Sequence, residues 1–258
     1  MQAGIAAPVS LLWSCASQGH YHMALSNLIL KSEAYRAFYK AMSDRGDFVS
    51  VDNGVVEEGK PLEFSEVLRA AHMVHAKEVV LPDLIGDGCD SLEETLRGLE
   101  WLRAEGCIND FVWLGVPHGT TATEWFYTYC RLLACLEIST IGLSMFDAPA
   151  FPKGRPQLVD TLEKLGMVDS ERDYHILGCV SDIREAANLN RPWVRSMDTG
   201  VPVRLGIKGV WHPRLCAAAL APIVSHRDFD FFGDYLMKEA IQHNIDVYKE
   251  ACGDANQS

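Results

Sequence analysis

The chain has 258 residues, of which 48% are hydrophobic, and its formal net charge at pH 7 is −12. This length can bury a sizeable core and fits one large α/β domain or two small ones. The acidic balance excludes a global basic field that would attract nucleic acid or anionic lipid. No apolar run approaches the roughly 20 residues of a membrane-spanning helix.

The N-terminal segment and the cysteines bear on the cellular compartment. Residues 1–17 are mildly apolar and end in LLWSCAS, but no Lys or Arg precedes the apolar run, which favours a first strand over a lipoprotein signal. The eight cysteines form no CxxC pair and no Cys/His cluster with zinc spacing. Scattered cysteines are mostly small buried apolar residues, and a reducing cytoplasm is the predicted location.

Short runs rich in Val, Ile and Leu, each closed by Gly, Pro, Asp or Asn, predict the buried strands of a parallel sheet. In chain order these runs are residues 8–17, 47–54, 78–86, 111–119, 137–146, 173–182 and 193–200. Apolar residues at helical spacing predict a helix after each run. In chain order the predicted helices are residues 21–45, 62–76, 90–105, 121–135, 155–168, 183–190 and about 228–251.

This regular alternation fits a (β/α)8 barrel better than a doubly wound sheet. The eighth strand is the weak point, and IKGVWH at 207–212 is the only candidate for it. No repeat, low-complexity segment or linker interrupts the series. Residues 1–258 are therefore predicted to form a single α/β domain of the TIM-barrel type.

Polar residues cluster where the predicted strands end, which is where such barrels build their active sites. An Asp follows the second, third and seventh predicted strands, and converging carboxylates need metal, protonation or a cationic ligand to balance them. Asp-Asn-Gly at 52–54, taken alone, is more often a turn, and His118 alone is equally compatible with a structural loop histidine. The candidate residues at these ends include Asp52, Asn53, Asp83, His118, Asp147 and Asp198.

Two carboxylates that face one sugar carbon are suited to cleaving a glycosidic bond, because one can attack the anomeric carbon while the other transfers protons. A metal-dependent hydrolase is expected to carry HxH after a strand. The HxH at 20–22 precedes the first long predicted helix and has no second His cluster. A phosphate-binding barrel would carry a Gly-rich turn near the last strands, of which DTGVPVRLG at 198–206 is a faint version.

The order of these motifs resembles the tRNA-guanine transglycosylase superfamily, a zinc-bearing (β/α)8 barrel that exchanges a base in nucleic acid. DNGVVE at 52–57 matches the family's DSGGFQ, and Asp83 in LPDLIGDG matches its base-recognising Asp. GVPHG at 115–119 is similar to GIVQGG, and IGL at 141–143 echoes a GG motif. MDTGVPVR at 197–204 is similar to the nucleophile motif FDCVLPTR.

The resemblance implies a nucleophile, a proton carrier and a base-binding set. Asp198 would attack C1′ of the target nucleoside and form a covalent sugar ester. Asp52 would manage the proton of the leaving or incoming base, and Asp83 would accept hydrogen bonds from the N–H edge of a purine-like base. The other implied substrate-binding residues are Asn53, Gly115, His118, Gly119 and Gly142.

Several features of the chain differ from the family pattern, and these differences indicate which branch of the family it resembles. No two cysteines lie within three residues of each other, so the CxCxxC zinc site is absent and neither a metal nor another cofactor is predicted. His118 stands where the family has Gln, so the base edge is expected to be recognised differently, and no C-terminal RNA-binding module is expected. The chain is most similar to the compact zinc-less branch of phage and bacterial DNA 7-deazaguanine transglycosylases and related phage-defence DNA glycosylases, which implies DNA rather than tRNA.

The charge of the chain is uneven, and its basic residues lie near Asp198. Residues 183–214 contain six Lys or Arg against two acidic residues, and the loop at 147–156 adds further basic side chains. Basic residues around the mouth could hold phosphates on an otherwise acidic body, and solvated loop charges are the alternative. The residues predicted to hold phosphates are Arg155, Arg195, Arg204 and Lys208.

The sequence thus predicts cleavage of the N-glycosidic bond of a nucleobase in nucleic acid, with the target nucleotide flipped out or single-stranded. Base exchange is the first interpretation, and excision of a modified base is the second. A third is a barrel that binds a nucleobase or nucleotide without turnover, which Asp52 and Asp198 disfavour. Nucleic acid and a free or modified nucleobase are the predicted partners, no membrane contact is expected, and dimerisation is left open.

Overall fold

Eight parallel strands form a closed barrel in chain order, with the last strand paired to the first. The computed structural model describes residues 1–178, 183–211 and 238–254. The (β/α)8 fold predicted from the alternation of elements is therefore confirmed. The strands are β1 Gln2–Ile5, β2 Tyr21–Leu25, β3 Phe48–Asp52, β4 Glu78–Val80, β5 Val112–Gly115, β6 Ile138–Ser144, β7 Asp173–Leu177 and β8 Val194–Thr199.

Helices follow the strands and surround the barrel. The α-helices are α1 Leu12–Cys15, α2 Ser26–Lys31, α3 Glu33–Arg45, α4 Val55–Glu58, α5 Phe64–Met73, α6 Gly88–Glu105, α7 Ala122–Leu133, α8 Arg155–Lys164, α9 Ile183–Leu189, α10 Val201–Ile207 and α11 Lys238–Cys252. Short 3-10 helices lie at Val9–Leu11, Ala16–Gln18 and Met145–Ala150. Within the described ranges, no helix combines the length and apolar character that crossing a membrane requires.

The longer helices begin and end at residues suited to those positions. α3, α6 and α7 begin after Ser32, Asp87 and Thr121, whose side chains accept a hydrogen bond from the first helical turn. α3 and α6 end at Gly46 and Gly106, which adopt the left-handed conformation that glycine tolerates best. The local sequence thus sets where the chain leaves each helix and turns back to the sheet.

Apolar side chains pack on both faces of the barrel sheet. Side chains alternate between the two faces along each strand, so Tyr21 and Met23 of β2 join Val80, Leu114 and Val116 in the barrel interior. A larger core lies between the outer face of the sheet and the helices. The interior is a packed core, and the polar groups that act on substrates in such barrels lie at the carboxyl ends of the strands.

The sequence prediction missed β1 and β2. Residues 8–17, predicted as the first strand, lie largely in short helices, and β1 precedes them. Leu12 and Cys15, spaced for one helical face, are buried there, so helical spacing prevailed over apolar content. The predicted helix at 21–45 begins with β2, whose residues are mostly buried on both faces. Burial on both faces removes the apolar/polar alternation that marks a strand.

The eighth strand was also misplaced. β8 lies in the run at 193–200, which the sequence pattern predicted as the seventh strand. The candidate predicted for the eighth strand, at 207–212, begins at the last residue of α10. β4 and β5 end earlier than predicted, before Pro82 and Pro117, because proline cannot donate to the strand ladder. Parts of the predicted elements at 173–182 and 228–251 lie outside the described residues.

Candidate active site

The carboxyl ends of the strands bring several predicted site residues to one mouth of the barrel. Asp52 ends β3 and Asn53 follows it, whereas Asp83 and His118 follow β4 and β5. Asp198 is the second-last residue of β8. The structure brings Asn53, Asp83 and His118 into one hydrogen-bonded group, while Asp52 and Asp198 make their described hydrogen bonds to other neighbours.

Asn53, Asp83, His118 and Asp147 form a continuous network, named here the carboxylate–histidine cluster. Nδ2 of Asn53 donates to Oδ1 of Asp83 at 2.6 Å and to the carbonyl oxygen of Leu81 at 2.8 Å. Nε2 of His118 lies 2.6 Å from Oδ2 of Asp83, and its Nδ1 lies 3.1 Å from Oδ1 of Asp147. All four side chains are buried. The cluster therefore ties together the chain segments that follow β3, β4, β5 and β6.

The two carboxylates of this cluster favour the positively charged form of His118. Burial by itself disfavours the charge, but hydrogen bonds and charge attraction from Asp147 and Asp83 outweigh burial and raise the pKa of His118 to about 10. With hydrogen on both ring nitrogens, His118 donates to a carboxylate on each side. Two carboxylates around one imidazolium leave this side of the mouth with a net negative charge.

Two glycines allow the chain around His118 to pack closely. A Cβ on Gly119 would lie 2.4 Å from the backbone nitrogen of Trp125 in α7, and a Cβ on Gly88 would lie 2.4 Å from the carbonyl oxygen of His118. The N–H of Gly119 also donates to Oδ1 of Asp147 at 3.3 Å. Both positions therefore require glycine, and their contacts fix the backbone that carries the His118 ring.

Asp52 makes the contact that a turn former would make. Its Oδ2 accepts from the N–H of Gly54 at 3.0 Å, and Oδ1 of Asn53 accepts from the N–H of Val55 at 3.0 Å. Gly54 has a φ of 82°, which glycine tolerates well. The turn expected for Asp-Asn-Gly is present, and the role of Asp52 as a proton carrier stays a prediction.

Asp198 is oriented by two donors to one carboxylate oxygen. Its Oδ1 accepts from the N–H of Gly178 at 3.0 Å and lies 3.1 Å from Nε2 of His175. Nδ1 of His175 lies 2.9 Å from Oγ of Ser196. The side chain of Asp198 is 18% exposed, whereas that of His175 is fully buried. A partly exposed carboxylate held in this way can attack an electrophile that enters the mouth.

Sequence reasoning missed His175. It lies on β7, where its neighbours Tyr174 and Ile176 pack in the core between sheet and helices. Strand alternation therefore turns His175 into the barrel, where its ring packs against Tyr21 with 4.8 Å between centroids. The signal in the sequence was a histidine at an inward position of an otherwise apolar strand, near the carboxyl end of that strand.

Gly115 and Gly142 pack against side chains. A Cβ on Gly115 would lie 3.0 Å from Cδ1 of Ile138. A Cβ on Gly142 would lie 2.7 Å from Cδ1 of Leu177 and 2.9 Å from Cδ2 of Leu114. These contacts give both glycines a role in the close packing of the barrel wall, and their part in substrate binding stays a prediction.

Arg155 is not a phosphate-binding residue, and the prediction for it was wrong. The residue is fully buried, and its guanidinium donates to the carbonyl oxygens of Leu143, Leu177 and Gly178 and pairs with Glu185 at 2.9 Å. A buried charge needs such partners, and a phosphate could be reached only by breaking them. Arg155 instead ties the carboxyl ends of β6 and β7 together.

Arg195 was also assigned wrongly, because it lies towards the opposite end of the barrel from the mouth. Its guanidinium donates to both carboxylate oxygens of Glu78 at 2.9 Å and to Asp173 at 3.0 Å. Glu78 and Asp173 are the first residues of β4 and β7. The guanidinium also lies 4.5 Å from the ring centroid of Phe48. Arg195 therefore compensates a buried carboxylate inside the barrel.

Arg204 and Lys208 keep their predicted role as phosphate-binding candidates. Arg204 is half-buried on α10, directly after β8, and Lys208 is exposed just beyond that helix. Arg191, from the same basic stretch, pairs with Asp160 at 2.9 Å. The local positive charge is therefore smaller than the sequence implies, and residues 212–214 of the stretch lie outside the described part of the chain.

Asp87, Cys89 and Glu124 form the one group in the described ranges with the spacing of a metal site. Oδ1 of Asp87 accepts from the N–H of Asp90 at 2.9 Å, and Oε1 of Glu124 accepts from the N–H of Gly88 at 2.9 Å. These are contacts of helix starts, where carboxylates satisfy backbone N–H groups. The local structure therefore accounts for both carboxylates without a metal.

No protein-family model matches the chain, and no curated protein matches it significantly. The resemblance to the tRNA-guanine transglycosylase superfamily thus stays a prediction based on short motifs. The mouth itself combines an oriented, partly exposed carboxylate near the end of β8, a second carboxylate at the end of β3, and a buried charged cluster. Such a set can supply nucleophilic attack and proton transfer.

Proposed function

We propose that the chain cleaves the N-glycosidic bond of a nucleobase in nucleic acid, with Asp198 as the nucleophile and DNA as the preferred target. The observation that carries the proposal is the Asp198 carboxylate, partly exposed at the mouth and oriented through Oδ1 by Gly178 and His175. A nucleophile must be both reachable and fixed in direction. The motif resemblance supports C1′ of a nucleoside as the electrophile.

The proposed reaction proceeds in two steps. An oxygen of Asp198 first bonds to C1′ while the C1′–N bond breaks, and the electron pair leaves with the base. The departing base takes a proton, for which Asp52, half-buried at the end of β3, is the proposed donor. A second nucleophile then opens the sugar ester at C1′ and returns a proton to Asp52. Exchange and excision differ only in that nucleophile, which is a free base in one and water in the other.

The carboxylate–histidine cluster supports recognition of a donor-rich base edge. Both oxygens of Asp83 already accept hydrogen bonds, from Asn53 and His118, and the side chain is buried. We therefore propose that Asp83 shapes the wall of the mouth and contributes to its charge, rather than forming the direct hydrogen bonds to the base that the resemblance implied. The net negative charge of the cluster favours the N–H groups of a base over a phosphate on that side of the mouth.

The nucleic acid would approach from the side of β8. Arg204 and Lys208 lie on and beyond α10, which directly follows this strand, and basic side chains can hold phosphates beside a flipped nucleotide. The body of the protein is acidic, with a net charge of −12. Binding would thus depend on a few local phosphate contacts. DNA is preferred over tRNA on the motif resemblance alone.

Base release is the direct test of this proposal. The protein is incubated with unmodified DNA and with DNA carrying modified bases, with and without free 7-deazaguanine, and released bases and abasic sites are quantified. Asp198→Asn should slow release by about 1,000-fold or more, because an amide is a poor nucleophile towards C1′. Asp246→Asn, which changes an exposed carboxylate on α11, is the matched control and should leave release unchanged.

The outcomes separate the three interpretations. Release that requires a free base identifies exchange, and abasic sites formed without one identify excision. DNA binding without any release would instead support the non-catalytic barrel. A loss of tenfold or less in Asp198→Asn would show that another group is the nucleophile.

A further inference from the structure

A chain of hydrogen bonds runs through the barrel interior from Glu78 to Asp198 at the mouth. Both carboxylate oxygens of Glu78 accept from Arg195 at 2.9 Å. Nε of Arg195 donates to Oγ of Ser196 at 3.3 Å. Oγ of Ser196 lies 2.9 Å from Nδ1 of His175, and Nε2 of His175 lies 3.1 Å from Oδ1 of Asp198. Side chains of β4, β7 and β8 thus connect the far end of the barrel to the mouth.

The groups in this chain determine which ring nitrogen of His175 carries hydrogen. Arg195 can only donate, so Oγ of Ser196 accepts from it and keeps one hydrogen that it can donate to Nδ1 of His175. An ionised Asp198 can only accept, so Nε2 of His175 donates to it. This pattern selects the imidazole tautomer with hydrogen on Nε2.

The surroundings of His175 hold its ring in one orientation. The side chain is fully buried, and the ring packs against Tyr21 with 4.8 Å between centroids. Gly4 makes room for this arrangement, because a Cβ there would lie 2.9 Å from Cδ1 of Tyr21. The Nε2–H bond therefore stays directed at Oδ1 of Asp198.

We propose that His175 is a positioning residue that holds Asp198 and speeds the breakdown of the sugar ester formed on it. The proposal rests on the function proposed above, since it needs Asp198 to be the nucleophile. His175 acts through Asp198 rather than on the substrate, and the N–H of Gly178 assists at the same oxygen.

The two chemical steps differ in the charge on Asp198. In ester formation an Asp198 oxygen bonds to C1′, the C1′–N bond breaks, and the base leaves with the electron pair and takes a proton from Asp52. In ester breakdown a water oxygen or a nitrogen of a free base bonds to C1′ and gives its proton to Asp52. The C1′–O bond breaks, and its electron pair returns to Asp198.

Negative charge thus develops on Asp198 only as the ester breaks down. Hydrogen bonds to an anion are about twice as strong as those to a neutral group, so a donor at Oδ1 stabilises the departing carboxylate more than the ester. The donor on His175 therefore favours breakdown over formation.

Single-turnover kinetics on DNA can separate the two steps. In His175→Leu we expect breakdown to slow by about 10- to 100-fold, because a hydrogen bond to a charged group is lost. Base release in the first turnover should be retained, so the covalent protein–DNA adduct should accumulate as a shifted band after denaturation. His175→Gln, whose amide can donate to Oδ1, should restore most of the breakdown rate.

His22→Leu is the matched control. His22 is a buried histidine whose Nε2 lies 2.9 Å from Oδ2 of Asp47, so the variant removes a similar histidine–carboxylate contact elsewhere. It should lower the melting temperature while leaving the ratio of the two rates unchanged. Equal slowing of both steps in His175→Leu, with no adduct, would overturn the proposal and leave His175 a structural role.

Nitrogen NMR of histidine-labelled protein tests the hydrogen-bond chain without any turnover. We expect the His175 signals, identified by their loss in His175→Gln, to show hydrogen on Nε2 and none on Nδ1. Hydrogen on Nδ1 would contradict the inferred tautomer. If the wild-type protein releases no base, the proposed function and the role in ester breakdown fail together, and the NMR result decides separately on the hydrogen-bond chain.

Discussion

His118 and His175 are both buried histidines near the mouth of the barrel, but their ring nitrogens contact different groups. Each nitrogen of His118 faces a carboxylate of the carboxylate–histidine cluster. Nδ1 of His175 faces the hydroxyl of Ser196, and its Nε2 faces the carboxylate of Asp198. Two carboxylates hold a proton on each nitrogen of His118, whereas the hydroxyl lets His175 act as a single, directed donor to its carboxylate.

This difference divides the mouth into a closed side and an open side. The cluster that contains His118 is buried, and hydrogen bonds link its four side chains, which favours one rigid geometry. On the other side, Asp198 is 18% exposed although the histidine behind it is not. We expect substitutions on the closed side to act mainly on stability and those on the open side to act mainly on reactivity.

The largest expected change in stability comes from removing the cation of the closed side. His118→Leu leaves Asp83 and Asp147 buried without their shared positive charge, and should lower the free energy of unfolding by about 3–5 kcal/mol. His175→Leu loses its hydrogen bonds to Ser196 and Asp198 and should lower it by about 1–3 kcal/mol. Denaturant unfolding followed by circular dichroism measures both values.

His118→Gln provides the intermediate case. An amide can donate to one carboxylate but carries no charge, so the loss of stability should lie between those of the two leucine variants. It also supplies folded protein if His118→Leu does not fold. Equal losses in the His118 and His175 variants would contradict the division into a closed and an open side.

The charge on His118 also predicts that the free energy of unfolding depends on pH. The change per pH unit is smaller than the loss expected for His118→Leu. The folded pKa of His118 is raised to about 10, above the value of about 6.5 in an unfolded chain. Its contribution to stability is therefore complete below about pH 6.5 and is lost as the pH rises through about 10, with a slope of about 1.4 kcal/mol per pH unit in that window. Denaturant unfolding between pH 6 and pH 10 measures this slope.

The difference between wild type and His118→Gln isolates this histidine. Burial also raises the pKa of Tyr129, so other groups contribute to alkaline unfolding in both proteins. The variant should lack the steep part of the pH dependence. A variant with the same slope as the wild type would show that His118 is uncharged in the folded protein.

The fold was predictable from the sequence because strand and helix patterns alternate over most of the chain. The errors fell where pattern and burial disagree. β2 is buried on both faces, so its five residues show no alternation and could be joined to the helix that follows. Residues 8–17 are as apolar as a strand but place Leu12 and Cys15 on one buried helical face. Apolar content alone does not distinguish these cases.

The site was predictable only in part, because the sequence alone does not reveal whether a charged side chain is buried or which groups it pairs with. Asn53, Asp83 and His118 do meet, as their positions after consecutive strands imply. Arg155 and Arg195 carry charges that are usually exposed, yet each compensates groups inside the protein.

Substitution of Arg204 has the smallest expected effect. It tests whether nucleic acid binds on the open side of the mouth. It lies on α10, directly after the strand that carries Asp198. If Arg204 contacts one phosphate, Arg204→Ala should lower the slope of log affinity against log salt by about 0.7 to 0.9. The free energy of unfolding should change by no more than about 0.5 kcal/mol. DNA-binding titrations at several salt concentrations, in an Asp198→Asn background that prevents turnover, measure the slope.

Arg69→Ala is the matched control for charge. Arg69 is exposed on α5 and pairs with Glu66 at 3.2 Å, so the variant removes the same charge from the outer helix layer. It should leave the salt slope unchanged, because long-range charge effects are screened over about 10 Å at 0.1 M salt. A phosphate contact at Arg204 would thus place DNA beside the carboxylate that His175 orients. Equal slopes in the Arg204 and Arg69 variants would mean that α10 contacts no phosphate, and the open side would then have to bind its substrate through the base and sugar alone.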